Sequence, residues 1–296
     1  MDIKAYIREK KEKVDDALRR IFPQSDGFEK ELISSMRYSL FAGGKRLRPI
    51  LCIASCEAVG GDESICMPVA CALELIHTYS LIHDDLPSMD DDELRRGKPT
   101  NHMVFGEAMA LLAGDGLLTE AFYLLSSASF AKKVGSDRSL EIIRIISEAA
   151  GFRGMVGGQA VDIRSEGEKK DKSVVEYIHR HKTGALIRAS VISGGMAGGG
   201  TENQIDALSK YGERIGLAFQ IMDDILDVEG EIDKLGKHVG MDEKRGKLTF
   251  PSVFGMERAK EINLNLIDEA VSYLNCFDSR AEPLREIALY IINRTG

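Results

Sequence analysis

Residues 64–86 read SICMPVACALELIHTYSLIHDDL, and this run decides the fold class. From Ile65 to Ile82, through Leu73, Leu75, Ile76 and Leu81, the apolar side chains are nearly continuous. A buried strand rarely exceeds about eight residues, so this length predicts a buried helix. Residues 103–130 repeat the pattern, with Met109, Leu111, Leu112, Leu117, Leu118, Phe122, Leu124 and Leu125 on an alanine background. Further helical patterns cover about 2–21, 28–42, 46–60, 138–164, 173–196, 203–228, 251–277 and 282–294, and none of the chain alternates convincingly as a strand. The expectation is an all-α bundle of about ten helices, at least two of them central, forming one domain over residues 1–296.

Composition narrows the function classes. The 296 residues are 44% apolar and 29% charged, as in a globular protein, and the net charge of −8 disfavours a nucleic-acid partner. The five cysteines, Cys52, Cys56, Cys66, Cys71 and Cys276, show no C-x-x-C spacing, which argues against a zinc site or a disulfide framework. Met1 to Arg20 is studded with charge, unlike a signal peptide, and no run approaches the roughly 18 uninterrupted apolar residues of a membrane span. A cytoplasmic protein without stable membrane insertion is expected.

The central helix runs into an acidic cluster. Residues 84–93 are Asp-Asp-Leu-Pro-Ser-Met-Asp-Asp-Asp-Glu, and Pro87 should end or bend the helix there. Carboxylates so close repel unless a counter-charge joins them, and their hard oxygens suit Mg²⁺ held together with substrate phosphate. An EF-hand-type calcium loop fits less well, because Leu94 occupies the fifth position counted from Asp90. A solvated acidic loop is the plain alternative. The second cluster, Phe-Gln-Ile-Met-Asp-Asp-Ile-Leu-Asp at 219–227, interrupts another apolar helix. Asp223 and Asp227 share a face, with Gln220 about one turn before Asp223. Acids on a core-like helix are costly without a cation, so an internal ion pair competes with a shared multi-metal site. The two clusters together favour the metals.

With these motifs the sequence resembles the short-chain trans-prenyltransferases of the polyprenyl synthetase family, specifically the bacterial farnesyl diphosphate synthases. D-D-x-x-x-x-D followed by R-R-G is matched by Asp84, Asp85, Asp90, Arg95, Arg96 and Gly97, and D-D-x-x-D by Asp223, Asp224 and Asp227. Gly43-Gly44-Lys45-Arg46-Leu47-Arg48-Pro49, Gly157-Gly158-Gln159, Lys182-Thr183-Gly184, Gly236-Lys237 and Gly246-Lys247 follow in family order. A nucleotide P-loop at Gly44-Lys45 is excluded, since Ser39 stands where its first glycine belongs and Arg46 replaces its Ser/Thr.

The resemblance implies a helical bundle around a deep apolar cavity, usually a homodimer, performing Mg²⁺-dependent head-to-tail condensation of isopentenyl diphosphate with an allylic diphosphate. Asp84, Asp90 and Asp223 would ligate three Mg²⁺, with Asp85 and Asp227 in support. Arg95, Lys182 and Lys237 would contact the allylic diphosphate. Gly44, Lys45, Arg48, His77 and Arg96 would form the isopentenyl diphosphate pocket, while Arg46 serves structure. Lys182, Thr183 and Gln220 would be the catalytic residues, Thr183 and Gln220 stabilising developing positive charge with oxygen dipoles. Tyr79, five residues and about 7.5 Å before Asp84 along the helix, would close the cavity floor beside Ser80 and set a C15 product. The rivals are a geranylgeranyl diphosphate synthase, a terpene cyclase, which would not need the second diphosphate pocket, and a silent regulatory subunit. The tail Asn293-Arg294-Thr295-Gly296 carries one basic residue where some relatives are more basic.

Overall fold

A computed structural model describes residues 1–165, 171–229 and 248–293. The helices are α1 (Ile3–Ile21), α2 (Lys30–Leu40), α3 (Leu47–Ala58), α4 (Glu63–Asp84), α5 (Asn101–Phe105), α6 (Glu107–Leu125), α7 (Ala128–Val134) and α8 (Ser136–Ala150). They continue as α9 (Met155–Arg164), α10 (Lys172–Ile178), α11 (Ala185–Ala197), α12 (Glu202–Glu229), α13 (Phe250–Phe254), α14 (Met256–Tyr273) and α15 (Glu282–Asn293). A π-helical segment, His179–Gly184, joins α10 to α11.

The decisive run forms α4 as expected. Asp62 caps it, accepting from the Ser64 backbone N–H at 2.9 Å. One hydrophobic cluster gathers around α4 with α1, α6 and α8, and a second around α12 with α14 and α15. α3 and α11 contribute to both clusters. They meet closely, for a Cβ on Gly194 would strike the Cys52 carbonyl. Arg46 holds this centre together. Its left-handed backbone (φ 52°) starts α3, and its buried guanidinium donates to Asp15 (2.8 Å), Glu74 (2.7 Å) and the Leu40 carbonyl (2.6 Å).

Four expected helices are broken, and one stretch expected to lack strands pairs. The run 103–130 divides at Gly106 (φ 82°) and again where Ser127 caps α7, accepting from Phe130 N–H. The run 138–164 breaks between Ala150 and Met155, where a Cβ on Gly154 would strike the Ala149 carbonyl. The run 251–277 breaks at Gly255 (φ 84°), and 173–196 contains the π segment. Leu94–Arg95 (β1) and Lys98–Pro99 (β2) form a two-residue antiparallel hairpin. Its turn residues Arg96 (φ 55°) and Gly97 (φ 73°) both have positive φ, as a primed hairpin turn requires.

Among the described residues, α4 and α6 are long and apolar enough to cross a membrane by length and composition alone. α4 is mostly buried inside the fold, whereas α6 is only one-third buried. The stretch 229–250, expected as a long functional loop, begins as the last turn of α12 at Glu229, and 230–247 lies outside the described residues, Lys237 with it.

Candidate active site

α4 ends at the first acidic cluster, where Asp84 and Asp85 diverge. Asp85 is buried and accepts from Arg95 Nε at 2.7 Å and Nη2 at 2.5 Å. The hairpin thus carries Arg95 back onto the end of α4. Asp84 is half-buried, and its carboxyl is pushed up to about 6, chiefly by burial and further by the charges of Asp90 and Asp85. Lys182 and Arg95 oppose that shift. Asp90 is folded back over the helix end, its N–H donating to the Asp84 carbonyl at 2.9 Å.

The π segment presents Lys182 and Thr183 across from α4. Burial alone would lower the Lys182 ammonium, but Asp162, Asp84 and Asp90 outweigh it and hold it above its ordinary value. Lys182 donates to Asp162 at 2.5 Å, so α9 supplies the group that aims it. Two glycines permit the close fit. A Cβ on Gly158 would strike the Lys182 backbone nitrogen, and one on Gly216 would stand 2.8 Å from Gly184 Cα. Sequence reasoning did not assign Asp162. Its position three residues after Gln159, on the same face of α9, was the available signal. Gln159 is itself buried, and neither of its amide atoms has a partner among the described residues.

On α12, Asp223 and Asp227 are half-buried while Asp224 is buried. Asp224 accepts from His179 Nε2 at 2.7 Å, from Phe250 N–H at 2.8 Å and from Gln220 Nε2 at 3.2 Å. Gln220 Oε1 in turn accepts from the Thr183 hydroxyl at 2.8 Å. Thr183 and Gln220, paired only by expectation in the sequence, are therefore in direct contact. His179 and the structural part of Asp224 were missed, because the partners lie 45 residues apart.

A second cationic group, joined to the first through Arg95, surrounds His77. Burial, then the charges of Arg48, Arg96, Arg95 and Arg46, hold its imidazole well below its ordinary range. Burial lowers the Arg48 and Arg96 guanidinia as well, and Arg48 Nε is buried without a partner. Arg96 donates to the Gly43 carbonyl and passes over Gly44, where a Cβ would stand 2.7 Å from Arg96 Nη1. Lys45 is exposed at this loop. Positive charge concentrated around a neutral imidazole, with an unsatisfied guanidinium N–H, is suited to a polyanion. The two basic groups adjoin at Arg95, which with Lys182 acts on Asp84 and with Arg48 and Arg96 acts on His77.

The carboxylates fit a hard divalent cation. Their donors are all oxygen, and the upward-shifted Asp84 carboxyl shows that protein cations alone do not compensate it. Among the described residues no three carboxylate, imidazole or thiolate side chains converge tightly enough to hold a metal unaided.

Below Asp84, Tyr79 is buried in the α4 core and meets His83 edge to face at 5.6 Å between ring centroids. Burial and the Asp84 charge push its hydroxyl up to about 12. His83 reaches the Leu111 carbonyl on α6 at 3.1 Å and fills the space where a side chain on Gly114 would stand. The neighbouring Ser80 hydroxyl is turned to its own helix, donating to the His77 carbonyl at 2.9 Å.

The sequence pattern of the polyprenyl synthetase family matches residues 29–282. The geranylgeranyl diphosphate synthase of Cyanophora paradoxa is 46% identical over 98% of this chain and 96% of its own. The farnesyl diphosphate synthase of Geobacillus stearothermophilus is 50% identical over 88% of this chain and 87% of its own. Among solved structures, an FPP/GFPP synthase from Zymomonas mobilis superposes with a TM-score of 0.88 at 37% identity, covering 98% of this chain and 99% of that one.

Proposed function

From the premise that this chain belongs to the polyprenyl synthetase family and is a short-chain prenyltransferase of isoprenoid biosynthesis, we propose that it makes (2E,6E)-farnesyl diphosphate. It would condense isopentenyl diphosphate head to tail, first with dimethylallyl and then with geranyl diphosphate. The observation that supports two-diphosphate chemistry is the pair of cationic groups, Lys182 held by Asp162 beside Asp84 and Arg96 over the Gly43–Gly44 loop with Arg48 beside His77, which adjoin at Arg95.

Asp84 and Asp90 on one side and Asp223 on the other would hold Mg²⁺, three ions per site. Bound there, the metal supplies Lewis-acid charge neutralisation to the departing diphosphate. Lys182 and Arg95 hold the allylic diphosphate, aimed by Asp162 and Asp85. Lys237 is assigned to the same diphosphate by its motif alone. The allylic C–O bond breaks with its electron pair leaving on the diphosphate, and the isopentenyl double bond then supplies the pair for the new C–C bond. Oxygen dipoles at Thr183 and Gln220 face the developing charge. Gly44, Lys45, Arg48, His77 and Arg96 hold the isopentenyl diphosphate, and the departed diphosphate accepts the proton lost at the end.

Tyr79 supports the C15 stopping point, standing about 7.5 Å below Asp84 along α4. A C20 product is the second reading, favoured by the identity to relatives named geranylgeranyl diphosphate synthases. Homodimerisation is supported by the apolar α6, only one-third buried, whose Leu111, Leu112 and Tyr123 are exposed.

The test is incubation of the purified protein with isopentenyl and dimethylallyl diphosphates with and without Mg²⁺, followed by sizing of the dephosphorylated products. Chelation should abolish condensation and added Mg²⁺ restore it. Tyr79→Ala should move the main product from C15 to C20 or longer. A C20 product from the unaltered protein selects the second reading, and no condensation at all overturns the prenyl-transfer reading.

A further inference from the structure

Asp224 belongs to the second acidic motif, yet its carboxylate is turned away from the role that motif gives Asp223. Only 3% of the residue is exposed. Its Oδ2 accepts from His179 Nε2 (2.7 Å) and from the Phe250 backbone N–H (2.8 Å), and its Oδ1 accepts from Gln220 Nε2 (3.2 Å). Two of these donors fix the frame. His179 opens the π segment and packs its ring against Phe250 at 5.3 Å, and Phe250 begins α13. The third donor carries chemical information.

A carboxylate can only accept hydrogen bonds, whereas a glutamine amide can present either end. Facing Asp224, Gln220 must present its NH₂, since its oxygen there would set two acceptors against each other. The Gln220 oxygen is thereby directed at Thr183, whose hydroxyl proton it takes at 2.8 Å. With its one proton committed, Thr183 has only lone pairs left to offer the site. We infer that Asp224 is a positioning residue that sets the polarity of the Gln220–Thr183 relay, so that oxygen lone pairs and not a hydroxyl proton face the allylic cation. The inference rests on the prenyl-transfer reading for the identity of that cation. A preset dipole of the right sign needs no reorientation as charge develops, which is where such groups lower a barrier.

The isosteric change Asp224→Asn separates this from simple support. The Oδ2 side must still accept from the Phe250 N–H, so the introduced asparagine places its oxygen there and its NH₂ toward Gln220. Gln220 then turns over, its NH₂ meets Thr183, and the Thr183 proton is released toward the site. The frame survives while the polarity inverts. Adding Gln220→Glu supplies a carboxylate that accepts from both the introduced amide NH₂ and the Thr183 hydroxyl, which restores the original sense at the same formal charge.

Wild-type, D224N, Q220E, D224N/Q220E, T183V and T183V/D224N proteins would be compared for melting temperature and for kcat and KM with geranyl and isopentenyl diphosphates. D224N should keep the wild-type melting temperature and both KM values while kcat falls about tenfold to a hundredfold. D224N/Q220E should exceed both single variants in kcat. T183V should itself lower kcat, and D224N should then add little to it, which holds even if D224N alters the melting temperature. Wild-type kcat in D224N or in T183V, or a D224N loss that the double variant does not relieve, would overturn the inference. A wild-type protein that condenses nothing would remove the functional reading instead, and the relay would have no cation to serve.

Discussion

The two acidic clusters repeat one division of labour with different hardware. In each, the second aspartate of the Asp-Asp pair is 3% exposed and bound to the scaffold, while the first stays half-buried toward the site. At the first cluster the scaffold is a single guanidinium, Arg95 on Asp85, brought in by a hairpin. At the second it is an imidazole, a backbone N–H and an amide around Asp224, drawn from three segments. A guanidinium stabilises a buried carboxylate by attraction, whereas the Phe250 N–H and the Gln220 amide orient Asp224 without cancelling its charge. The first cluster is thus built mainly to hold, and the second to hold and to polarise.

The comparison breaks most readily at the site-facing members. Asp84→Ala and Asp223→Ala should each lower kcat by about a thousandfold or more, the loss expected when a ligand supplying several kcal/mol is removed. Neither should lower the melting temperature of the metal-free protein, and Asp84→Ala should raise it, because burial opposes ionisation of that carboxyl. Initial rates at saturating Mg²⁺ and thermal melting with a chelator check both halves. A fall in melting temperature equal to that of an Asp85 variant would erase the distinction between the two aspartates.

Much of this was legible in the sequence, and the exceptions have a common cause. α4 was readable because the stretch from Ile65 to Ile82 carries too much apolar surface for any strand. The two acidic clusters stood out because acids at the end of, or within, an apolar helix demand compensation, whereas the choice of Asp84, Asp90 and Asp223 within them rests on the family motifs. The hairpin at Leu94–Pro99 was not, since two-residue strands have no period, and only Gly97 marked the turn. The π segment was hidden for a different reason: apolar residues flank it on both sides, so the pattern of one long helix continues through it. His179 escaped because its meaning lies in a pair 45 residues apart, which no local spacing encodes, and Asp162 because its partner Lys182 lies 20 residues on and only its place one turn after Gln159 marked it.

A smaller effect tests how the first cluster is held. Asp85→Ala leaves the Arg95 guanidinium, about a quarter exposed, without its main partner. Breaking one side of a buried pair costs about 3 kcal/mol, and partial exposure with Asp92 at 3.6 Å should reduce that. The expected result is a lower melting temperature together with a raised KM for the allylic diphosphate, as Arg95 loses its aim. Asp85→Ala with Arg95→Met should regain stability but not KM. Recovery of both would mean that Arg95 serves the fold alone.

The smallest effect sharpens the contrast, because it leaves every charge in place. Gly97 completes the hairpin turn at φ 73°, and a Cβ there would meet nothing within 4 Å. Gly97→Ala therefore adds backbone strain without a clash, about 1 kcal/mol. That strain acts on the element carrying Arg95 and Arg96, the first directed at Asp85 and the second at the Gly43–Gly44 loop. If the hairpin aims both guanidinia, KM for both diphosphates should rise together by a few fold, with kcat nearly unchanged. A rise confined to the isopentenyl substrate would place the strain on Arg96 and leave the Asp85–Arg95 pair rigid. Gly255 (φ 84°), which also has open space around its Cβ, carries neither guanidinium, so an equal strain there should change stability but neither KM.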